Sequence, residues 1–104
     1  MTVTATPADR AAAHDKFAAT NIAVALKVAD KVLATKEYDD ATIHAGRACR
    51  LLLLGTLTDT TMPFRTARVH ARQVLRDLCH DDSHSKGART VYRRCLDGLD
   101  GKLG

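Results

Sequence analysis

The chain has 104 residues, the length of one ordinary domain, which excludes an enzyme built from two domains around a cleft. Hydrophobic residues make up 45% of it and charged residues 27%, so a wholly disordered chain is excluded as well, and aromatics at 4% leave the core to aliphatic side chains. The formal net charge is +4, and the excess lies beyond residue 40, where eleven Lys and Arg residues stand against six Asp. A basic balance of this kind indicates an anionic partner and says little about fold.

The first predicted element is a long helix that ends at about Thr35. Thr6 is a good N-cap, Pro7 suits the first turn, and Asp9 faces the positive end of the helix dipole. At about 100° per residue, apolar side chains cover roughly half of this helix. They are Phe17, Ala18, Ile22, Val24, Ala25, Leu26, Val28, Ala29, Val32 and Leu33. So wide a stripe needs two neighbouring helices, and any uncovered part favours a symmetric homodimer through this helix.

A second helix is predicted from about Ala41 to Leu57, with Asp39 or Asp40 as its cap. Its later part contains the unbroken aliphatic run Leu51–Leu54. A helix that is apolar on every side is buried. We therefore expect this run to be among the least exposed parts of the chain and to lie at the centre of the domain.

Two shorter helices follow, one from about Pro63 to His80 and one from about Ala88 to Leu99. Glycines at 98, 101 and 104 are expected to fray the end, and no segment has the alternation of a β-strand. The sequence therefore predicts an all-α fold, a small antiparallel bundle of about four helices with a long N-terminal helix. It forms one domain over residues 1–104, with frayed ends at 1–6 and 100–104.

Four arginines of the third helix follow one another at intervals of three or four residues. They are Arg65, Arg68, Arg72 and Arg76, and we call them the arginine ridge. Their spacing confines them to a strip of about 80°, beside the apolar face rather than opposite it. Because guanidinium groups bind carboxylates and phosphates through a planar fork, the ridge predicts contact with an acidic protein surface or a nucleic-acid backbone. The plainer interpretation is that these side chains face solvent and cover the edge of the core.

The remaining sequence motifs give weaker evidence about function. A helix-turn-helix DNA reader is disfavoured because the connection before the third helix is longer than the usual turn of three or four residues. The segment Cys79–His84 concentrates side chains of the types that bind metals, but a zinc site would need two more ligands. Neither a metal nor another cofactor is therefore predicted. The odd number of cysteines, at Cys49, Cys79 and Cys95, favours buried free thiols over a disulfide framework.

Polar residues on the predicted helices offer an alternative function. His14 and Asn21 fall within the apolar face of the first helix, where buried polar groups must find partners or line a pocket. His44 and His70 are further weak candidates for acid-base work, but no nucleophile motif accompanies them, so an enzyme is the less favoured class. The alternative is a small helical enzyme or ligand-binding protein with a polar pocket between helices.

The N-terminal segment has neither the basic nor the apolar region of a secretory signal, and no aliphatic run approaches the roughly 20 residues that cross a bilayer. We therefore expect a cytoplasmic protein with no membrane partner, and its richness in Ala and Arg is typical of a high-GC bacterial genome. The preferred function is a small binding or regulatory accessory protein that contacts an anionic partner through the arginine ridge.

Overall fold

The computed structural model describes residues 6–35 and 37–103, which form four α-helices. They are α1 (Pro7–Ala34), α2 (Asp40–Thr58), α3 (Phe64–Cys79) and α4 (Lys86–Leu99). The helices pack against one another as an antiparallel bundle, and the described residues contain no strand. The predicted all-α bundle is confirmed, together with its long N-terminal helix, which has 28 residues.

Local sequence explains where the helices begin. In a capping box at the start of α1, the Asp9 amide donates to the Thr6 hydroxyl and the Thr6 amide donates to the Asp9 carboxylate, each at 3.1 Å. Asp39 caps α2 by accepting a hydrogen bond of 2.8 Å from the amide of Thr42, and Ser85 caps α4 in the same manner. These signals are local, so the predicted helix ends agree with the observed ones to within two residues.

The core lies where one face of each helix meets the other three. Its large, fully buried side chains are Ile22, Leu53, Leu75 and Leu99, one from each helix. Alanines and the three cysteines fill the space between them. The core is therefore built mainly from small and medium-sized side chains, as the scarcity of aromatic residues predicts.

The expectation that the whole run Leu51–Leu54 is buried is wrong. Leu53 is fully buried and Leu52 is half-buried, but Leu51 is 75% exposed and Leu54 is 36% exposed. Four successive residues point in directions about 100° apart, so they cover most of the circumference of a helix. Since α2 packs into the bundle through one face, only Leu53 points fully at the core.

The buried side of α1 is set by its close approach to α4. A Cβ atom on Gly98 would lie 2.9 Å from the Cα of Ala25, so only glycine allows this contact without a shift of one helix. Phe17, which the sequence places in the apolar stripe of α1, is 59% exposed. It lies about 100° around the helix from the middle of the buried line, at the edge of the packed face, where its ring borders Gly101 just after α4.

The end of α4 is closed by backbone hydrogen bonds. Gly101 adopts a left-handed φ of 73°, its amide donates to the carbonyl of Gly98 at 3.2 Å, and the amide of Lys102 donates to the carbonyl of Asp97 at 2.9 Å. This pair of bonds is a Schellman motif, for which glycine is the favoured residue. Fraying of the two ends stays a prediction, and residues 1–5 and 104 lie outside the described residues.

Candidate functional site

The arginine ridge lies on α3, and three of its four side chains bind groups of this same chain. Arg65 forms an ion pair of 2.9 Å with Asp15 of α1. Arg68 donates from Nε to the carbonyl oxygen of Leu99 at 2.6 Å, close to the end of α4. The ridge therefore contains much less unpaired positive charge than its sequence indicates.

Asp100 is the acidic residue on which the middle of the ridge converges. Arg72 donates from Nε to its carboxylate at 2.7 Å, and the Arg68 guanidinium lies 3.7 Å from the same oxygen. The Asp100 side chain is 14% exposed. Arg76 has no acidic partner among the described residues. The ridge thus joins α3 to the end of α4, and its contact with a separate partner stays a prediction.

The structure separates the two polar residues predicted for the face of α1. His14 is exposed, and it shares a hollow of about 350 Å³ with Phe17, Arg65 and Arg68. Asn21 is buried, and its Nδ2 atom has no hydrogen-bond partner among the described residues. Of the polar residues predicted for a pocket, His14 therefore lies beside the first two arginines of the ridge, Arg65 and Arg68.

The other two candidate histidines lie on different surfaces. His44 of α2 lines a cavity of about 580 Å³ that also contains Arg47, His84 and Tyr92. His70 of α3 is exposed, and it lines neither the hollow beside His14 nor the cavity beside His44. The structure does not bring His14, His44 and His70 together into one site.

The segment Cys79–His84 spreads its ligand-type side chains in several directions. Cys79 is buried, whereas the neighbouring His80 is exposed. His84 lies 3.7 Å from the carboxylate of Asp81, and its ring meets the ring of Tyr92 edge-on at 5.4 Å. Within residues 6–35 and 37–103, no three His, Cys, Asp or Glu side chains cluster in a way that could hold a metal ion.

The remaining cysteines, Cys49 and Cys95, are buried in the core as free thiols. Hydrogen bonding with Cys95 and burial raise the pKa of the Cys49 thiol. A raised pKa disfavours the thiolate, which is the reactive form of cysteine. The Cys49 thiol is therefore protonated, and both cysteines pack in the core as small apolar side chains.

A groove between α1 and α4 was not foreseen from the sequence. Its larger part has a volume of about 690 Å³. It is lined by Val24, Lys27, Val28, Lys31, Val32, Thr35, Tyr38, Arg94 and Leu103. A second part of about 320 Å³ continues it along α4 and adds Lys86 and Thr90 to the lining. We call the two parts together the basic groove.

Every charged side chain that lines the basic groove is a cation. Lys27 and Lys31 lie one turn apart on the α1 side, and Lys86 and Arg94 lie on the α4 side. All four are exposed, and none has an acidic partner in the part of the chain that the structure describes. Uncompensated like charges raise the local potential above that of a surface of paired ions.

The signal that could have revealed this groove is a pattern on α1. Lys27 and Lys31 border Val24 and Val28 on the helical wheel, so cations adjoin an apolar edge there, as they do on the ridge. Taken alone, the periodicity of α1 places these lysines on its polar, solvent-facing side. Only the packing of α4 beside this edge turns it into a concave surface with Arg94 opposite.

Comparison of the chain with protein-family models, curated proteins and solved structures finds no match. None of the helices that the structure describes is both long and apolar enough to cross a membrane.

Proposed function

We propose that this protein is a small binding protein of accessory type and that its partner is an acidic protein segment, which it holds in the basic groove. The observation that carries the proposal is the combination of an apolar floor with four unpaired cations at its sides. An anionic partner also agrees with the prediction made from the net charge of +4. We assign the binding surface to the basic groove and not to the arginine ridge, because most of the ridge is already bound to Asp15, Leu99 and Asp100.

The shape of the groove favours an amphipathic helix as the bound segment. Two antiparallel helices form its walls, and the valines of α1 form an apolar strip between the cations. A helix in such a groove buries its own apolar face, while acidic residues on its flanks meet the lysines and the arginine. A phosphate backbone would gain charge contacts but would leave the valine strip uncovered, so nucleic acid is the less favoured partner.

A second copy of this chain is a weaker occupant of the same groove. The chain carries a net charge of +4, and a symmetric dimer through the groove would bring Lys27 and Lys31 of both copies together. Like charges across an interface oppose association. The predicted homodimer through α1 remains a proposal for another part of that helix, for which the exposed Phe17 is an apolar contact point.

The proposal is tested with a designed acidic peptide of about 18 residues, long enough for roughly 27 Å of helix. Leucines at helical spacing give it one apolar face, and glutamates occupy the rest. We expect saturable binding by fluorescence anisotropy that weakens as salt rises from about 50 to about 200 mM. A scrambled peptide of the same composition should bind at least about tenfold more weakly, because it lacks the apolar face.

A DNA duplex serves as the competing probe in the same assay. Duplex affinity equal to or tighter than that of the amphipathic peptide would overturn the choice of a protein partner. Equal binding of the scrambled and amphipathic peptides would show that charge alone determines the affinity, and the proposed role of the valine strip would then be wrong.

A further inference from the structure

The cavity of about 580 Å³ lies between α2 and the beginning of α4, away from the basic groove. Its walls are apolar over most of their extent. Small alanines of α2, the exposed Leu51 and Ala88 of α4 form these walls. A pocket of this volume is within the usual range for sites that bind small organic molecules.

Tyr92 is the largest of the buried residues that line the cavity. The residue is 5% exposed, and its ring contacts the ring of His84 edge-on at an interplanar angle of 74°. None of the side-chain hydrogen bonds among the described residues involves the Tyr92 hydroxyl, and the hydroxyl is not one of the buried atoms left without a partner. An accessible hydroxyl without a protein partner is free to hydrogen-bond water or a ligand group.

Burial raises the pKa of Tyr92, and the nearby Cys49 thiol raises it further. The hydroxyl therefore keeps its proton at neutral pH and acts as a hydrogen-bond donor.

The polar groups at the edge of the cavity favour an anion. Arg47 is exposed and has no acidic partner among the described residues, and His44 and His84 lie on opposite walls. No Asp or Glu lines the cavity. The cap residue of α4, Ser85, also lines the cavity, so the positive end of this 14-residue helix lies beside it.

We propose that this cavity binds a small monocarboxylic acid with a compact apolar body. The body packs against the alanines and Leu51, and the carboxylate lies between Arg47 and the hydroxyl of Tyr92. A carboxylate is favoured because it accepts two hydrogen bonds in one plane, which matches the fork of an arginine. This site does not depend on the proposed function of the basic groove.

The test uses phenylbutyrate as the probe and phenylbutyramide as its uncharged analogue, with binding followed by amide chemical shifts in nuclear magnetic resonance. We expect saturable shifts in the first half of α2 and the first turn of α4. Phenylbutyramide should bind at least about tenfold more weakly, because it lacks the charge that Arg47 binds.

Variants locate the site. Arg47→Ala and Tyr92→Phe should each weaken phenylbutyrate binding by about fivefold or more, the loss expected for one hydrogen bond. The matched control is Arg50→Ala, which removes a cation from the same helix, but one that pairs with Asp30 outside the cavity. Ala48→Phe should also weaken binding by filling the cavity from its exposed side.

Three results would overturn the proposal: no saturable shift at millimolar phenylbutyrate, equal binding of the amide, or an equal loss in Arg50→Ala and Arg47→Ala. If Tyr92→Phe does not fold, Arg47→Ala and the amide analogue still decide the outcome. A Lys27→Glu/Lys31→Glu protein should bind phenylbutyrate normally, so failure here and failure of the groove proposal are distinguishable.

Discussion

At the scale of single residues, Asp39 links the beginning of α2 to the pH of the solution. Hydrogen bonds from Thr42, through its side chain and its backbone amide, lower the pKa of Asp39 from the ordinary value of 3.8. In the unfolded chain these bonds are absent, so the unfolded state takes up protons at a higher pH than the folded state does. The stabilisation is therefore complete above the unfolded pKa and is lost as pH falls through the folded pKa.

We predict that Asp39→Asn makes the protein less sensitive to acid. Asparagine keeps the capping oxygen but does not titrate. The fall in melting temperature between about pH 6 and about pH 3 should be smaller for this variant than for the wild type, as followed by circular dichroism. Asp9, Asp59 and Asp81, whose pKa values are also lowered by hydrogen bonds, contribute to the part that remains. An identical fall in both proteins would contradict the assignment.

Two leucines of α2 provide a matched pair for stability. Leu53→Ala should cost about 2–5 kcal/mol in unfolding free energy, because the side chain is fully buried. Leu51→Ala should cost less than about 0.5 kcal/mol, because Leu51 is 75% exposed. Urea unfolding monitored by circular dichroism measures both. Similar losses in the two variants would show that this run is buried on all sides, as its sequence alone indicates.

At the scale of helices, the arginine ridge holds α3 against the end of α4. Arg72→Gln removes a charged hydrogen bond of 2.7 Å to Asp100, a carboxylate that is 14% exposed. We expect a loss of about 1–3 kcal/mol in unfolding free energy, since a hydrogen bond to a charged group is lost and a mostly buried carboxylate keeps fewer partners. Arg76→Gln is the matched control on the same strip, and it should change stability by less than about 0.5 kcal/mol. Equal effects would mean that the ridge is only a solvated face.

Helix positions could be predicted from the sequence because their causes are local. Thr6, Asp39 and Ser85 cap their helices through residues three positions away, and the apolar periodicity lies within each helix. The ion pairs of the ridge join residues 28 to 50 positions apart. Such pairs depend on how α3 slides and rotates against α1 and α4, which the periodicity of one helix does not fix. The position of the ridge was therefore predictable, whereas its neutralisation was not.

At the scale of the whole molecule, α4 separates two unlike concave surfaces. Thr90 and Arg94 face the basic groove beside α1, while Ala88 and Tyr92 face the cavity beside α2. One short helix thus lines both candidate sites, with cations on one side and the hydroxyl of Tyr92 on the other.

The composition shows the excess of positive charge, but it does not show which cations share one concave surface. Lys27 and Lys31 lie far from Arg94 in the sequence, and only the packing of α1 against α4 brings them to one groove. His44 was singled out from the sequence for its chemistry alone, and the structure adds Arg47, His84 and Tyr92 around it. Interhelical surfaces of this kind require the three-dimensional arrangement, because no local pattern encodes them.

The most direct test of the central claim compares two double charge reversals on α1 for binding of the acidic amphipathic peptide. Lys27→Glu/Lys31→Glu places the change in the basic groove, and Arg10→Glu/Lys16→Glu makes the same change in net charge at exposed positions outside it. Anisotropy at about 50 mM salt should show at least about a tenfold loss of affinity for the first variant and a much smaller loss for the second. Equal losses in the two variants would contradict the account, because binding would then follow net charge and not the groove.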